Sequence, residues 1–428
     1  MQPPNLMSKT HKELFDIIVG LYSRQLHDEA LQGAELLLKQ YPLYANTQNI
    51  LSAIYSELGE FCRAWEHCKK GLILSPDAKE NYNTTASILA KKNQLNAAVL
   101  FHNRALTLSP NYKQSLYNLG TILQSLGKFD QAITCYKSAL KLDSNYQLAR
   151  YFLGLALSEQ GDHQKSALIF ENLDFKDSKT RLVEELYFTA SQQRFISEYK
   201  KLLQLGVSNS IIGALGCHAQ VKFKQNLPNT FCNDPFRFIR HYKFVQSGKE
   251  QANLVTEVRR YLALPSTELR NQPLVSNGWQ TAGNLFLGTE PFVIDIKKRI
   301  LTAVSEYRNI FGKSNEGFIK NWPNNFHLKG WIIGMTTGGF LDAHIHKDSW
   351  ISGSVYLSVP NKNNNNDGNL VLSIDGGDYP KEGEKFPETV IEVRTGDICI
   401  FPSSLFHYTT PIHTSEERLV LAFDIKIE

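Results

Sequence analysis

The sequence predicts a chain of two parts: an all-α array of repeated helix pairs, then a β-rich sandwich or small barrel flanked by helices. Three observations lead to this prediction. Prolines recur at a constant spacing in the N-terminal half, the hydrophobic period changes from 3.6 to 2 after residue 225, and five histidines follow residue 320. A length of 428 residues also exceeds what one hydrophobic core usually organises, so two domains are expected.

The repeat in the N-terminal half is defined by Pro42, Pro76 and Pro110, and the same step continues to Ser144 and Ser178. Within one unit, small and large residues recur where two packed helices need them, namely Leu119, Gly120, Ala132, Tyr136 and Ala139. Small residues let the helices approach closely, and the aromatic residue is expected to fill the gap to the next pair. This step matches the period of the tetratricopeptide repeat, so we expect five units between about residue 11 and residue 178.

Residues 180–224 also read as helical and are assigned to a C-terminal cap, which gives a first domain of residues 1–224. Stacked repeats of this kind form a concave groove that binds extended peptides or helices. We therefore expect a peptide or protein partner in the groove, with association between copies of the chain as an alternative.

Residues 225–428 form the second predicted domain, in which short runs of aromatic and β-branched residues alternate with turn residues. The last strand shows the alternation best, with Leu419, Leu421, Phe423, Ile425 and Ile427 on one face. The other candidate strands are WIIGM, SGSVYLSVP, NLVLSI, TVIEV and DICIFP, and helices are expected around 254–262 and 291–311.

The composition is ordinary for a globular protein, with 42% hydrophobic residues, 21% charged residues and a formal net charge of +4. Neither a nucleic-acid partner nor a membrane partner is therefore expected. The N-terminal residues lack the pattern of a secretory leader, and we expect a cytoplasmic protein. Six cysteines without CxxC spacing argue against disulfides and a structural zinc site.

The candidate chemistry lies in the segment GGFLDAHIHKDSW, where His344, His346 and Asp348 alternate and would share one face of an extended strand. His407 lies far downstream, after the apolar segment DICIFP and a turn, and is placed to close a metal site. Imidazoles on a small barrel suit Fe(II) with open coordination positions. Arg418, at the start of the last strand, offers a planar cation that would hold a dicarboxylate cosubstrate by paired hydrogen bonds.

Three blocks carry a resemblance to a known family: PLVSNGWQTAGNLF, GGFLDAHIHKDSWISGSVYLSVP and GDICIFPSSLFHYTTPIHTSEERLVLAFD. Residues 265–428 resemble the 2-oxoglutarate and Fe(II)-dependent oxygenases, which belong to the prolyl-hydroxylase-like group and are often fused to tetratricopeptide repeats. The resemblance implies a double-stranded β-helix, or jelly roll, with dioxygen as a further substrate. It also implies that His344 and His407 are the first and distal metal ligands and that Arg418 anchors 2-oxoglutarate, with Gly338 matching the glycine ahead of the first ligand.

The sequence departs from the general His-x-Asp pattern at the middle ligand, where His346 stands, although the narrower family also carries His-x-His. A neutral imidazole in place of a carboxylate leaves the metal site one unit more positive. The competing register takes His346 and Asp348 as the ligand pair, and the same strand geometry permits both.

The function expected from these features is hydroxylation of a peptide or protein side chain presented with help of the repeats. Three alternatives stay open: a small molecule or natural product as substrate, an inactive oxygenase fold whose repeats bind partners, and a cupin-type enzyme that uses the metal alone. Trp350, Tyr356 and Tyr408 lie near the ligands in sequence and are candidates for lining the substrate pocket.

Overall fold

The computed structural model describes residues 10–92, 94–264, 267–270, 272–360 and 367–427. The chain divides into two compact units, Met1–Ser178 and Lys179–Glu428. No helix in the described ranges is both long enough and apolar enough to cross a membrane.

The described part of the first unit consists of five helix pairs whose first helices begin at a constant spacing, as the sequence predicts. The pairs are α1 (His11–Ser23) with α2 (His27–Gln40), α3 (Ala45–Glu57) with α4 (Phe61–Leu74), α5 (Lys79–Lys91) with α6 (Leu95–Leu108), α7 (Lys113–Ser125) with α8 (Phe129–Leu142), and α9 (Gln147–Glu159) with α10 (His163–Glu171).

Close packing inside a pair depends on glycine opposite an aromatic ring. A Cβ atom on Gly120 would lie 2.6 Å from Tyr136 Cε1, and one on Gly154 would lie 2.6 Å from Phe170 Cζ. The ring of Tyr136 also reaches the next pair, with its centroid 6.3 Å from that of Phe152. The aromatic residue therefore fills a notch within its own pair as well as the gap to the next pair.

Side-chain hydrogen bonds between residues 35 positions apart join consecutive pairs along the array. These bonds link Tyr22 to Glu57, Asn49 to Thr84, Asn118 to Asn83 and Gln124 to Glu159. Since each repeat contacts mainly its neighbours, such bonds recur along the array.

The second unit begins with three helices, α11 (Ser178–Thr189), α12 (Gln192–Gln204) and α13 (Ser210–Phe223). Side chains of these helices, among them Tyr199 and Leu215, form one hydrophobic core with Tyr379 and Phe406 of the β-rich region. Because of this packing, the compact unit starts at Lys179, well before the expected boundary at residue 225.

The remaining helices are α14 (Gly248–Leu262), α15 (Pro291–Phe311) and α16 (Gly317–Lys320), with short 3-10 turns at Pro235–Phe238 and Leu285–Leu287. The strands are β1 (Arg240–Lys243), β2 (Leu269–Arg270), β3 (Val275–Thr281), β4 (Phe326–His344), β5 (Ser349–Ser358), β6 (Leu370–Ser373), β7 (Glu388–Ile391), β8 (Asp397–Pro402), β9 (Phe406–Thr409) and β10 (Arg418–Ile427). The bounds of α15 and β8 agree with the predicted segments 291–311 and DICIFP.

The strands pair antiparallel in the order β1-β8-β5-β10-β4-β9-β6-β7, and β3 pairs with β2 and β4. The long strand β4 pairs with β10 through Met335 and then with β9 at Leu341 and His344. It therefore connects the two halves of a nearly closed antiparallel structure. A helical repeat array followed by a jelly-roll unit confirms the predicted fold class.

Strand β10 is buried on both faces, and the two faces differ in character. Leu419, Leu421 and Phe423 pack with Ile296 and Ile300 of α15 in the main core of the unit. The other face, on which Arg418 and Asp424 lie, lines a cavity.

Candidate metal centre

Strand pairing brings His407 beside His344, although the two residues are far apart in the chain. Strand β4 ends at His344, whose cross-strand partner on β9 is His407. His407 is paired on its other side with Leu372 of β6. Residues directly opposite on antiparallel strands have neighbouring side chains, so the ladder sets the spacing of these two imidazoles.

His346 is placed by a turn and a helix. The expectation of one continuous strand through Asp348 is wrong, because β4 ends at His344 and residues 347–348 form a turn. The Ser210 hydroxyl on α13 donates to the carbonyl oxygens of His346 at 3.2 Å and Lys347 at 2.7 Å. These bonds fix the turn. Although His346 lies beyond the end of β4, its side chain contacts that of His344.

Three imidazoles converge at this point. The ring centroids are 4.3 Å apart for His344 and His407, 4.9 Å for His346 and His407, and 5.1 Å for His344 and His346. The Nε2 atoms of His344 and His346 are 3.1 Å apart, and one nitrogen from each ring falls within 4.8 Å of the others. Two nitrogens bound at right angles to one ion with bonds of roughly 2.1 Å lie roughly 3.0 Å apart, so the cluster has the dimensions of a metal site.

The outer nitrogens of the rings face protein acceptors. His344 Nδ1 is 2.8 Å from the Asp342 carbonyl oxygen, and His407 Nδ1 is 3.5 Å from that of Leu405. Burial lowers the pKa of His344 to about 4, with a further contribution from His346. Burial also places the pKa of His407 well below its usual value. Both rings are therefore neutral near pH 7, the form that ligates a metal.

The third outer nitrogen contacts Asp424, a residue that the sequence analysis did not single out. His346 Nδ1 lies 2.6 Å from Asp424 Oδ1, which also accepts a 2.8 Å hydrogen bond from the Ser352 hydroxyl. Burial raises the pKa of the Asp424 carboxyl, but His346, Ser352 and Lys426 outweigh it and hold that pKa below its usual range. A carboxylate behind a ligating histidine fixes its tautomer and increases its basicity. Its signal in the sequence was its place in the alternation of β10, on the same face as Arg418.

Asp348, the alternative ligand, lies outside the histidine cluster. Its carboxylate is 3.2 Å from Arg181 Nη2 and 4.0 Å from Lys426 Nζ, and its side chain is 69% exposed. These contacts give Asp348 cationic partners, and the arrangement favours the register of His344 and His346.

Arg418 lies in the same cavity as the histidines, a space of about 340 Å³ that His344, His346 and His407 also line. Its side chain is buried, with its Cζ atom 5.3 Å from the centroid of the Tyr356 ring. Arg418 Nε has no hydrogen-bond partner in the described part of the chain, and no carboxylate pairs with this guanidinium there. A buried, unpaired cation is costly, and a carboxylate ligand in the cavity would remove that cost.

The three aromatic candidates have different positions. Tyr356 lines the cavity, as expected for a pocket residue. Trp350 belongs to the main core and donates from Nε1 to the Phe318 carbonyl oxygen at 2.8 Å, and the Tyr408 hydroxyl donates to Glu388 at 3.0 Å. Neither is among the residues that line the cavity.

Gly338 marks a change in the path of β4 ahead of the first histidine. Its φ of 77° is in the left-handed region, and its N–H donates to the Ile412 carbonyl oxygen at 2.6 Å. A residue with a Cβ atom would be strained in this conformation, which accounts for glycine at this position.

Three imidazoles that converge on a jelly roll offer one nitrogen each to a single metal ion. Comparison with known proteins is more specific: residues 329–424 match the family described as "Putative 2OG-Fe(II) oxygenase", and residues 114–146 match the tetratricopeptide repeat. These matches confirm both resemblances drawn from the sequence. The oxygenase family implies Fe(II), 2-oxoglutarate and dioxygen. The three imidazoles fit Fe(II), and the unpaired guanidinium fits a carboxylate of 2-oxoglutarate.

No curated protein matches the chain. Among solved structures, that of Pseudomonas aeruginosa pilF is 17% identical, covers 46% of this chain and 91% of its own, and has a TM-score of 0.41. A tetratricopeptide repeat protein from Parabacteroides merdae is 14% identical, with coverages of 50% and 87% and a TM-score of 0.39. A repeat protein of Thermus thermophilus is 19% identical, with coverages of 46% and 100% and a TM-score of 0.36.

Proposed function

We propose that the second unit is a Fe(II)- and 2-oxoglutarate-dependent dioxygenase in which His344, His346 and His407 hold the metal and Arg418 holds the far carboxylate of 2-oxoglutarate. The observation that carries the proposal is the presence of three convergent imidazoles and one unpaired, buried guanidinium in a single cavity. This cavity supplies metal ligands and an anchor for a dicarboxylate together.

The metal and cosubstrate, when bound, supply the oxidation: one oxygen atom of dioxygen enters a substrate C–H bond, and the other enters succinate as carbon dioxide leaves 2-oxoglutarate. The residues of the chain bind and orient these groups. Asp424 holds the proton on His346 Nδ1 and thereby directs the Nε2 lone pair toward the metal. Arg418 and His407 are both buried, so the groups that they would hold lie away from the protein surface.

The proposed substrate is a side chain of a peptide or protein. The support for this is the repeat array on the same chain, because stacked helix pairs offer a groove suited to peptides. A small molecule or natural product is the second candidate, and substrate tests distinguish the two.

The experiment that tests the proposed activity measures succinate formed from 2-oxoglutarate by full-length protein with Fe(II) under air. We expect slow succinate formation without a substrate, and we expect His407→Ala to abolish it. His413→Ala is the matched control and should retain this activity, because His413 pairs with Asp367 outside the metal cluster. Equal turnover in both variants would contradict the metal assignment. A wild-type protein that binds no divalent metal would favour the inactive scaffold.

A metal-only enzyme of cupin type is distinguished by Arg418. Calorimetric titration of 2-oxoglutarate into the Mn(II)-loaded protein should show binding that Arg418→Ala weakens. If the affinity of that variant equals the wild-type value, Arg418 is not the anchor and the 2-oxoglutarate assignment fails.

A further inference from the structure

The cavity that contains the histidines has a second cationic region. Arg270 on β2, Lys329 on β4 and Lys426 on β10 all line it. Lys329 is the cross-strand partner of Asp424, and Lys426 lies two residues further along β10. Lys329 and Lys426 are therefore diagonal neighbours on one sheet face, with Cα atoms roughly 7–8 Å apart.

These three cations have few anionic partners. In the described ranges, the amino group of Lys329 has neither a hydrogen bond nor an ion pair, and the carboxylate paired with Lys426 is that of Asp348, at 4.0 Å. Arg270 faces the Gln280 amide, whose oxygen, in the orientation that satisfies both groups, accepts from Nη2 at 2.7 Å and from Nε at 3.1 Å. Burial lowers the pKa of the half-buried Lys329 and the neighbouring Lys426 lowers it further, whereas Asp424 and Asp348 act in the opposite direction.

Three acidic residues lie nearby: Glu268, which interacts electrostatically with Arg270, and Asp424 and Asp348, which are already engaged by other groups. Asp424 is bonded to His346 and Ser352, and Asp348 is shared with Arg181 at 3.2 Å. The positive charge at this end of the cavity is thus only partly compensated within the described chain, because none of these carboxylates forms a close ion pair with Arg270, Lys329 or Lys426. An anion entering the cavity here would be attracted.

The region lies on the side of His346 opposite Arg418. At a rise of roughly 3.4 Å per residue, Lys426 lies roughly 7 Å beyond Asp424 along β10, whereas Arg418 lies roughly 20 Å before it. Arg270 and the turn at Lys347 and Asp348 are exposed, so this is the solvent-facing end. The cosubstrate anchor and this region therefore do not compete for one anion.

We propose that Arg270, Lys329 and Lys426 form an anion subsite that selects substrates with a carboxylate close to the carbon that is oxidised. For a peptide substrate, this group is an Asp or Glu side chain next to the target residue. The inference rests on the proposed function, since it names the substrate class of the same cavity.

The test uses two fluorescent nonapeptide pools of matched design, one with Asp and Glu at the randomised positions and one with Asn and Gln. Anisotropy titrations use full-length protein with Mn(II) and 2-oxoglutarate. We expect the acidic pool to bind about tenfold more tightly, the combined effect of two or three partly exposed ion pairs. The double variant Lys329→Gln/Lys426→Gln should lose this preference, and Lys329→Arg/Lys426→Arg should keep it.

Calorimetry of 2-oxoglutarate on the same proteins separates this inference from the proposed function. Unchanged cosubstrate affinity in the glutamine variant supports the subsite. Three results would overturn the subsite. The wild-type protein could show no preference for the acidic pool, the preference could survive both glutamine substitutions, or the glutamine variant could lose cosubstrate binding. Failure of the wild-type protein to bind Mn(II) and 2-oxoglutarate would instead contradict the proposed function, whatever the peptides do.

Discussion

The contact between His346 and Asp424 bears on the proposed assignment of His346 as the middle metal ligand. Replacing the expected carboxylate by imidazole leaves the metal site one unit more positive, yet a buried carboxylate lies 2.6 Å behind that imidazole. The negative charge is therefore present one side chain further from the metal. Loss of such a partner commonly lowers metal affinity by about 10- to 100-fold.

Asp424→Asn tests this positioning role. The amide keeps the shape but loses the charge and the strong acceptor for His346 Nδ1, so Mn(II) affinity should fall by roughly 10- to 100-fold. Titration calorimetry of the metal measures the change. The control is Asp348→Asn, which should leave metal affinity within twofold. A merely structural Asp424 would lower the unfolding temperature without this loss, and a larger loss for Asp348→Asn would favour the register of His346 and Asp348.

Arg418 permits a second prediction at this scale. Arg418→Lys keeps the charge but removes the planar pair of donors, so 2-oxoglutarate should bind at least tenfold more weakly while Mn(II) affinity is unchanged. The two titrations on one variant separate the roles. Parallel loss of both affinities would indicate that Arg418 supports the fold of the cavity and has no specific role in cosubstrate binding.

Within the helical elements, the glycine notch sets how closely two helices approach. Gly120→Ala should lower the free energy of unfolding by about 1–3 kcal/mol, because its Cβ would meet Tyr136 at 2.6 Å. The loss should occur although alanine favours helix over glycine by about 1 kcal/mol. Urea titration followed by circular dichroism gives the value, with Thr121→Ala on the same helix as control. Equal stability of the two variants would show that close packing of Tyr136 does not require glycine at position 120.

The second element-scale prediction concerns His102, a buried residue of α6 whose Nδ1 lies 2.9 Å from the Ser115 hydroxyl oxygen. Burial lowers its pKa from 6.5 to about 4. Between these values the unfolded chain binds the proton and the folded chain does not, so its stabilising contribution is complete above pH 6.5 and declines as the pH falls toward 4.

From pH 7 to pH 5 this loss amounts to roughly 2 kcal/mol. Urea titrations of full-length protein at both pH values measure it, and His102→Gln should show a pH dependence shallower by this amount. The other histidines contribute equally to both proteins and cancel in the comparison. An unchanged pH dependence in the variant would show that His102 is not a buried neutral group.

At the scale of the whole molecule, the sequence was sufficient for the repeat array and for most strands. The regular spacing of the repeats and the alternation of apolar residues are local signals, and the helix starts and the bounds of α15 and β8 agree with them. The association of α11–α13 with Tyr379 and Phe406 depends on contacts distant in sequence, which local periodicity does not report.

Some features of the candidate site could also be predicted from the sequence, whereas others depend on tertiary contacts. His344, His346, His407 and Arg418 were predicted from spacing and family resemblance, and all four line one cavity, although their roles stay a prediction. The end of β4 at His344 and the position of Asp424 behind His346 depend on tertiary hydrogen bonds from Ser210 and Ser352. The cationic region of Lys329 and Lys426 depends on strand register, which the sequence alone does not specify.

The most direct test of the central claim is a crystal structure of the full chain with Mn(II) and 2-oxoglutarate. We predict one ion within bonding distance of a nitrogen from each of His344, His346 and His407, and a carboxylate of 2-oxoglutarate on the Arg418 guanidinium. An ion bound through Asp348 in place of His344, or a cosubstrate whose carboxylates both lie away from Arg418, would contradict the account.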